Sequence, residues 1–291
     1  MKQYTLLGEL LTDYRKINCL SQADLAAKMN VDIRTVIRWE ANETLIKSEK
    51  EEELVEETFI PYQVIRNLNA VVAIPTYYDF RIRKYALAEL SNKLPEADWF
   101  KAQMNHTTNR MRRIEFESDL DNILKYTQFE YKQAKPVSRQ LMKEAVKRLP
   151  EINLIIFDHA GYYSGHCVFL PINLTTFQKL KKREIVEGQL TENDLVDFRK
   201  EPVPVFHAFD LTADCNENMY YLIGTVLRFF QEISHKNYLY SSITVRHDSY
   251  EINEQVGMKI IWEDRQEQAN LDLPVPPRFY EGSFHAFLGK D

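Results

Sequence analysis

Residues 20–40, LSQADLAAKMNVDIRTVIRWE, constrain this chain more than any other stretch. Leu20, Leu25, Ala26, Met29, Val31, Val36 and Trp39 recur at helical spacing on either side of Asn30, so two short helices can close one small core around a tight turn. Ser21 stands three residues before Asp24, the spacing of a capping box, and Asp32 can accept from the backbone N–H of Thr35 to open the second helix. The predicted element is a helix-turn-helix whose second helix carries exposed side chains.

Ser-Gln-x-x-Leu-Ala, a short turn, then Thr-Val-x-x-Trp-Glu resembles the Cro/repressor-type (Xre-like) DNA-binding domains over roughly residues 5–58. The resemblance implies that Gln22 hydrogen-bonds near the first phosphates. It also implies that the helix from Asp32 enters the major groove with Ile33, Arg34, Thr35 and Arg38 near the DNA. Arg15 and Glu40 occupy the positions of the family's ion pair between the first helix and the end of the recognition helix. Double-stranded DNA is the implied partner, and a homodimer the implied binding form, because one such helix reads few base pairs. Family sequences usually carry Gly where this chain has Cys19 and again near Asn30. Asn tolerates a left-handed backbone, whereas the β-carbon of Cys fits it poorly. A helical bundle that binds a protein is the alternative, since fold alone does not prove function.

A chain of 291 residues, 44% hydrophobic and 12% aromatic, has the length for two domains and the apolar content for genuine cores, which excludes a disordered regulator. A net charge of −6 excludes a basic coat for indiscriminate nucleic-acid binding. Residues 1–48 are near charge balance, while EKEEELVEE after them reads as an acidic, solvated helix face. No run approaches about 18 apolar residues, and MKQYTLLGELLTDYRK lacks signal-peptide order, so the expectation is a cytoplasmic protein with no membrane partner. Cys19, Cys167 and Cys215 form no C-x-x-C pair and are expected to be reduced and packed. His159 and His166, and His207 and His247, lack the spacing of helical ligand pairs, so no metal is expected. His166 and its neighbour Cys167 would face opposite sides of a strand, which disfavours a nucleophilic pair. G-x-S-x-G, Walker-type and G-x-G-x-x-G signatures are missing.

Along the chain, Leu7, Leu10, Leu11 and Tyr14 predict a first scaffolding helix, and residues 47–58 another before Pro61. Residues 59–122 read as a mainly helical connector, with a helix to about Ala73, a break at Pro75 and a helix over 99–113. Its cluster Tyr77, Tyr78, Phe80, Arg81, Arg83, Lys84 and Tyr85 reads first as packing against neighbours and second as a nucleic-acid surface. Arg110, Arg112 and Arg113 form a second basic group with the same two readings. From about residue 123 strands and helices alternate: KYTQFEY as a strand, SRQLMKEAVKRL as a helix opened by Ser138, and a hairpin around His159-Ala160-Gly161. Helices over 173–182 and 191–198, the strand VPVFHAFDL, a long helix over 220–234 and a strand, helix, strand ending follow. Residues 271–291, with Pro274, Pro276 and Pro277, read as an irregular arm.

From about residue 137 this order is similar to the GNAT acetyltransferase superfamily, with V-G-M-K in place of its usual L-G-F-K ending. The resemblance implies a coenzyme A pyrophosphate loop after the central strand, but that segment here is LTADCNENMYY, without glycine and with Asp214 and Glu217. Many members place a general-acid Tyr four residues before the final Gly; here Asn253 precedes Gly257, and Tyr250 is the nearest substitute. The expected fold class is therefore α+β. It comprises an all-α helix-turn-helix bundle over 1–58, the connector over 59–122, a GNAT-like α/β domain over 123–270 and the arm over 271–291. The expected function is a sequence-specific DNA-binding regulator with a non-catalytic sensing or dimerisation domain, no catalytic residues, no cofactor and an unknown small-molecule effector. An acyl-coenzyme A-dependent N-acetyltransferase fused to a DNA-binding module, and a protein-interaction module, are the alternatives.

Overall fold

The computed structural model describes residues 1–130 and 138–289, with the backbone alone at Asn92, Phe129 and Glu130. It forms two compact units. One is Met1–Lys93 with Phe157–Ser164 and Asp214–Asn216, and the other is Leu94–Ile156 with Gly165–Ala213 and Glu217–Asp291. No helix among the described residues is long and apolar enough to cross a membrane.

The first unit runs β1 (Lys2–Tyr4), α1 (Leu7–Ile17), α2 (Gln22–Lys28), α3 (Ile33–Glu40), α4 (Ser48–Thr58), α5 (Tyr62–Leu68), β2 (Thr76–Asp79) and β3 (Lys84–Ala86). Leu10, Leu11, Leu25, Met29, Val36, Leu54, Val64 and Ile65 close a single core beneath these helices. The Ser21/Asp24 capping box is formed in both directions. Asp32 caps α3 by accepting from Arg34 N–H at 2.8 Å. The sequence pointed to Thr35 as the donor; the cap engages one residue earlier, the other common geometry for an aspartate cap.

Helices α1, α2 and α3 all end the same way. The backbone turns left-handed at Cys19, Asn30 and Asn42, with φ of 54°, 47° and 56°. In each case the next N–H reaches back to a carbonyl five residues earlier: Leu20 to Arg15 at 2.8 Å, Val31 to Ala26 at 2.9 Å and Glu43 to Arg38 at 2.9 Å. This is the Schellman closure, which satisfies carbonyls the helix leaves open. The first turn thus forms despite the Cys19 side chain.

The unit is not all-α. Strands β1, β2 and β3 make a three-stranded antiparallel sheet, with Lys2 opposite Tyr78 and Tyr77 opposite Ala86. Burial also settles the 77–85 cluster. Tyr78, Phe80, Arg83 and Lys84 are buried, and the Arg83 guanidinium lies between the rings of Phe59 and Tyr163 while donating to both of their backbone carbonyls. The packing reading applies to these side chains. The acidic run is not wholly solvated either, because Glu51 is fully buried and accepts from Arg66 and Asn69.

The second unit contains α6 (Ala97–Gln103), β4 (Met111–Arg113), α7 (Glu117–Glu130), α8 (Arg139–Arg148), β5 (Leu154–Phe157), β6 (Tyr163–Ile172), α9 (Leu174–Lys181), β7 (Val205–Ala213), α10 (Asn216–Glu232), β8 (Leu239–Thr244), α11 (His247–Gln255), β9 (Lys259–Glu263), α12 (Arg265–Asn270), β10 (Arg278–Gly282) and α13 (His285–Leu288). A few end residues of these elements belong to the first unit. The strands form one seven-stranded mixed sheet in the order β4-β5-β6-β7-β8-β10-β9, with β7 and β8 parallel. From Ser138 the chain runs through α8, β5 and β6, α9, β7, the long α10, β8, α11 and β9, so strands and helices alternate as the sequence implied. Met219, Leu222, Val226 and Phe230 line one stripe of α10 and pack with Phe169 and Phe206 of the sheet.

Several segments depart from expectation. KYTQFEY lies in α7, apart from Tyr131, which is outside the described residues. The helix expected over 99–113 is α6 followed by β4, and that over 191–198 is only a single 3-10 turn at Glu192–Asp194. Helix α5 stops at Leu68, not near Ala73. The 271–291 arm contains β10, which sits between β8 and β9. Its five residues alternate too briefly to announce a strand. Pairing on both edges with distant strands is what stabilises it.

Candidate functional site

In the first unit, α3 presents a face of mixed chemistry. Ile33, Arg34, Ile37 and Arg38 are exposed, and Thr35 is half-buried beside them. Val36 and Trp39, on the opposite side, are buried in the core. Arg34 and Arg38 are one turn apart, about 6 Å along the axis. Among the described residues neither has an ion pair. Asp32 serves as the cap, so its carboxylate is occupied by the Arg34 backbone.

Two devices set the tilt of α3 against α1. Gly8 allows the backbones to touch: a β-carbon there would lie 2.4 Å from the Glu40 carbonyl and 2.6 Å from that of Trp39. The Gly8 N–H also donates to Asn42 Oδ1 at 2.9 Å. The second device is Arg15, which pairs with Glu40 through Nε and Nη2, the latter at 2.8 Å from Oε2. Gln22 Nε2 donates to the same Oε2 at 2.8 Å, so the expected phosphate ligand is itself held by the pair. Burial alone would raise the Glu40 carboxyl, but the Arg15 and Gln22 donors outweigh it and hold it below the usual carboxylate value.

The second unit holds a cavity of about 120 Å³. Strands β7 and β8 pair only from Val205/Leu239 to Ala208/Ser242. Just beyond, the β6–β7 register shifts so that Phe209 is skipped, a bulge that turns β7 away from its partner. The cavity opens in that split. Phe100, Phe169, Met219, Ile223, Val226 and Phe284 give it apolar walls, and Asp210, Arg246 and Asn253 reach its edge. Its size suits a benzene-sized group. A whole drug-sized ligand needs about 300 Å³ or more.

Beside the cavity lies a buried polar chain that sequence reasoning missed. His166 Nε2 is 3.2 Å from Asp210 Oδ2, and the His166 ring meets Tyr126 edge-on. Thr212 Oγ1 donates to Tyr126 Oη at 2.7 Å, and Arg246 Nη1 donates to Thr212 Oγ1 at 3.0 Å. Arg246 also pairs with Asp248 at 3.1 and 3.2 Å. These residues come from α7, β6, β7 and the start of α11, so no spacing in the sequence could have signalled them. Cys167, by contrast, sits in the apolar core, where burial pushes its thiol well up.

Other polar groups singled out in the sequence are engaged with neighbouring residues. Arg110 clamps the first turn of α10, donating to Asn218 Oδ1 at 2.7 Å and Glu217 Oε1 at 2.8 Å. Arg112 is bound to Asp119, so the second basic group is largely paired. The Tyr250 hydroxyl donates to the Pro276 carbonyl, and its pKa is pushed up to about 12, chiefly by burial. His207 bonds Ser241 and Glu187. No metal-ligand cluster occurs among the described residues.

No protein-family profile matches the chain, and no curated protein does. Solved structures overlap with it in part. Arabidopsis thaliana Naa50 in complex with a bisubstrate analogue, CoA-Ac-MVNAL, is 10% identical with a TM-score of 0.39, over 60% of this chain and 97% of that one. A Drosophila melanogaster polyamine N-acetyltransferase is 12% identical with a TM-score of 0.39, over 60% and 98%. Arylalkylamine N-acetyltransferase 2 from Aedes aegypti is 10% identical with a TM-score of 0.36, over 61% and 100%.

Proposed function

We propose that the chain is a sequence-specific double-stranded DNA-binding regulator that reads the major groove with α3, and that two copies occupy adjacent half-sites. The observation that carries this reading is the α3 face: two unpaired arginines and two exposed isoleucines on a capped helix, braced by Gly8 and the Arg15/Glu40 pair. A helix of this kind fits the major groove, where arginines meet phosphates or guanine edges and apolar side chains meet thymine methyls. Gln22 and Thr35 are the accompanying polar contacts. The split-strand cavity is the site for a small apolar effector or effector fragment.

The test is selection of duplex sites from a random pool, followed by binding titrations at two salt concentrations. Arg34→Ala should weaken the selected site about tenfold or more and lower the salt dependence. No enriched sequence, or an Arg34→Ala variant of full affinity and intact fold, would overturn the reading.

A second reading, N-acetyl transfer from an acyl-coenzyme A, is favoured by the cavity where β7 and β8 part. Against it stand the glycine-free α10 entry, where the side chains of Glu217 and Asn218 are already held by Arg110, and the occupied Tyr250 hydroxyl. Calorimetry with acetyl-coenzyme A should show no binding at micromolar concentrations. Saturable binding with thiol release on amine substrates would replace the regulator reading with the enzyme.

A further inference from the structure

The first unit displays apolar surface that its own core does not use. Val71 is 92% exposed and Val72 82%, and Leu6, Leu45 and Ile74 are each about half exposed. Leu6, Leu45 and Val71 border one groove of about 300 Å³, whose floor includes Leu7, Trp39, Ile46 and Leu68.

This surface is held in place. Asn69 accepts from Ile46 N–H at 2.9 Å and donates back to the Ile46 carbonyl at 2.8 Å, joining the two walls of the groove. Asn69 also donates to buried Glu51, which Arg66 neutralises. Ile74 N–H bonds the Asn67 carbonyl at 2.8 Å, closing the loop that carries the two valines. Valines fixed in water by such a frame gain nothing for the monomer.

We infer that this patch is the contact between two copies of the chain. The five exposed residues present on the order of 500 Å² of largely apolar surface. That is at the upper end for a monomer and approaches the roughly 600–800 Å² per partner of a stable interface. A two-fold contact must be complementary to itself, and this patch carries both a projecting element, Val71 and Val72, and the groove that can receive one. The rim does not oppose it: exposed Glu43 and Lys47 flank the groove-lining segment with opposite signs. Trp39 is in the last turn of α3 and Asn42 in the turn that closes it, so pairing here sets the C-terminal ends of two α3 helices beside the symmetry axis. The choice of a second copy rests on the half-site reading above; the patch itself does not.

Sedimentation equilibrium on the full chain without DNA tests the inference. The wild type should dimerise, and Val72→Asp and Leu45→Asp should each weaken dimerisation at least tenfold with unchanged thermal melts. Val186→Asp, at a 63% exposed valine of the second unit, should leave it unchanged. A wild type that stays monomeric to about 100 µM, well above the dissociation constants of specific interfaces, overturns the proposal. So does a dimer insensitive to both patch variants, or one weakened equally by Val186→Asp. Failure of DNA binding alone, with the dimer intact, would instead count against the α3 reading.

Discussion

The α2–α3 segment and the split-strand cavity are built in opposite ways. In α2–α3, most of the determining contacts lie within five residues: Ser21 with Asp24, Asp32 with Arg34, Asn30 between its two helices. Around the cavity, Tyr126, His166, Thr212 and Arg246 meet from segments up to 120 residues apart. Local contacts leave a spacing in the sequence, and distant ones do not. The energetic weights run the other way, because a cap is worth about 1 kcal/mol while a buried charge that loses its partner costs several.

The largest effect should therefore come from the cavity side. Arg246→Met removes the guanidinium that faces Asp248 and Thr212 in a buried setting, and should lower the stability of the second unit by about 3–5 kcal/mol, read as the shift of its calorimetric transition. A loss under about 1 kcal/mol would make the polar chain no more important than an exposed pair and break the contrast.

Next comes the charge pair that ties α1 to the end of α3 in the helix-turn-helix frame. Glu40→Ala leaves Arg15, whose side chain is only 14% exposed, without its carboxylate. The expected cost is about 3 kcal/mol, measured by urea unfolding. The same pair predicts a pH response. The folded-state pKa of Glu40 is depressed, so its stabilisation is present above the ordinary value of 4.5 and is lost as pH falls through the folded value. Thermal melts in acid should show the wild type losing stability that Glu40→Ala has already lost.

The local signals sharpen the contrast at the small end. Asp32→Ala should cost about 1 kcal/mol as a lost cap. Cys19→Gly should stabilise the chain by about 1 kcal/mol, because Cys19 is exposed and holds a left-handed backbone that glycine adopts without strain. A neutral or destabilising Cys19→Gly would mean that the thiol makes contacts worth as much as the strain.

Legibility followed the same division. The boundaries of α1 to α4, the hairpin around Gly161 and the long α10 could be read from periodicity and caps, and the α3 face came with them. Strands β2 and β3 could not, because Tyr77 to Tyr85 mixes aromatic and basic residues, and only burial reveals that Arg83 lies between two rings. KYTQFEY reads as a strand, yet its described residues form the last part of α7. Its helical stripe appears only through Leu120, Ile123 and Tyr126 turning toward the core. The resemblance implies Gln22 near phosphate, whereas its bond to Glu40 depends on how α2 and α3 cross.

What the sequence by itself determined is the set of elements that close on their own neighbours: capped helices, a Schellman turn at Asn30, an amphipathic α10. Their stabilising contacts are made within a turn or two, so residue order alone specifies them. Only the tertiary structure decided that a five-residue piece of the C-terminal arm becomes β10, that β7 and β8 part at the Phe209 bulge to leave a cavity, and that Val71 and Val72 stand exposed on a rigid frame. Each of these depends on which distant surfaces meet, and burial and strand pairing are rewarded only after the chain has brought them together.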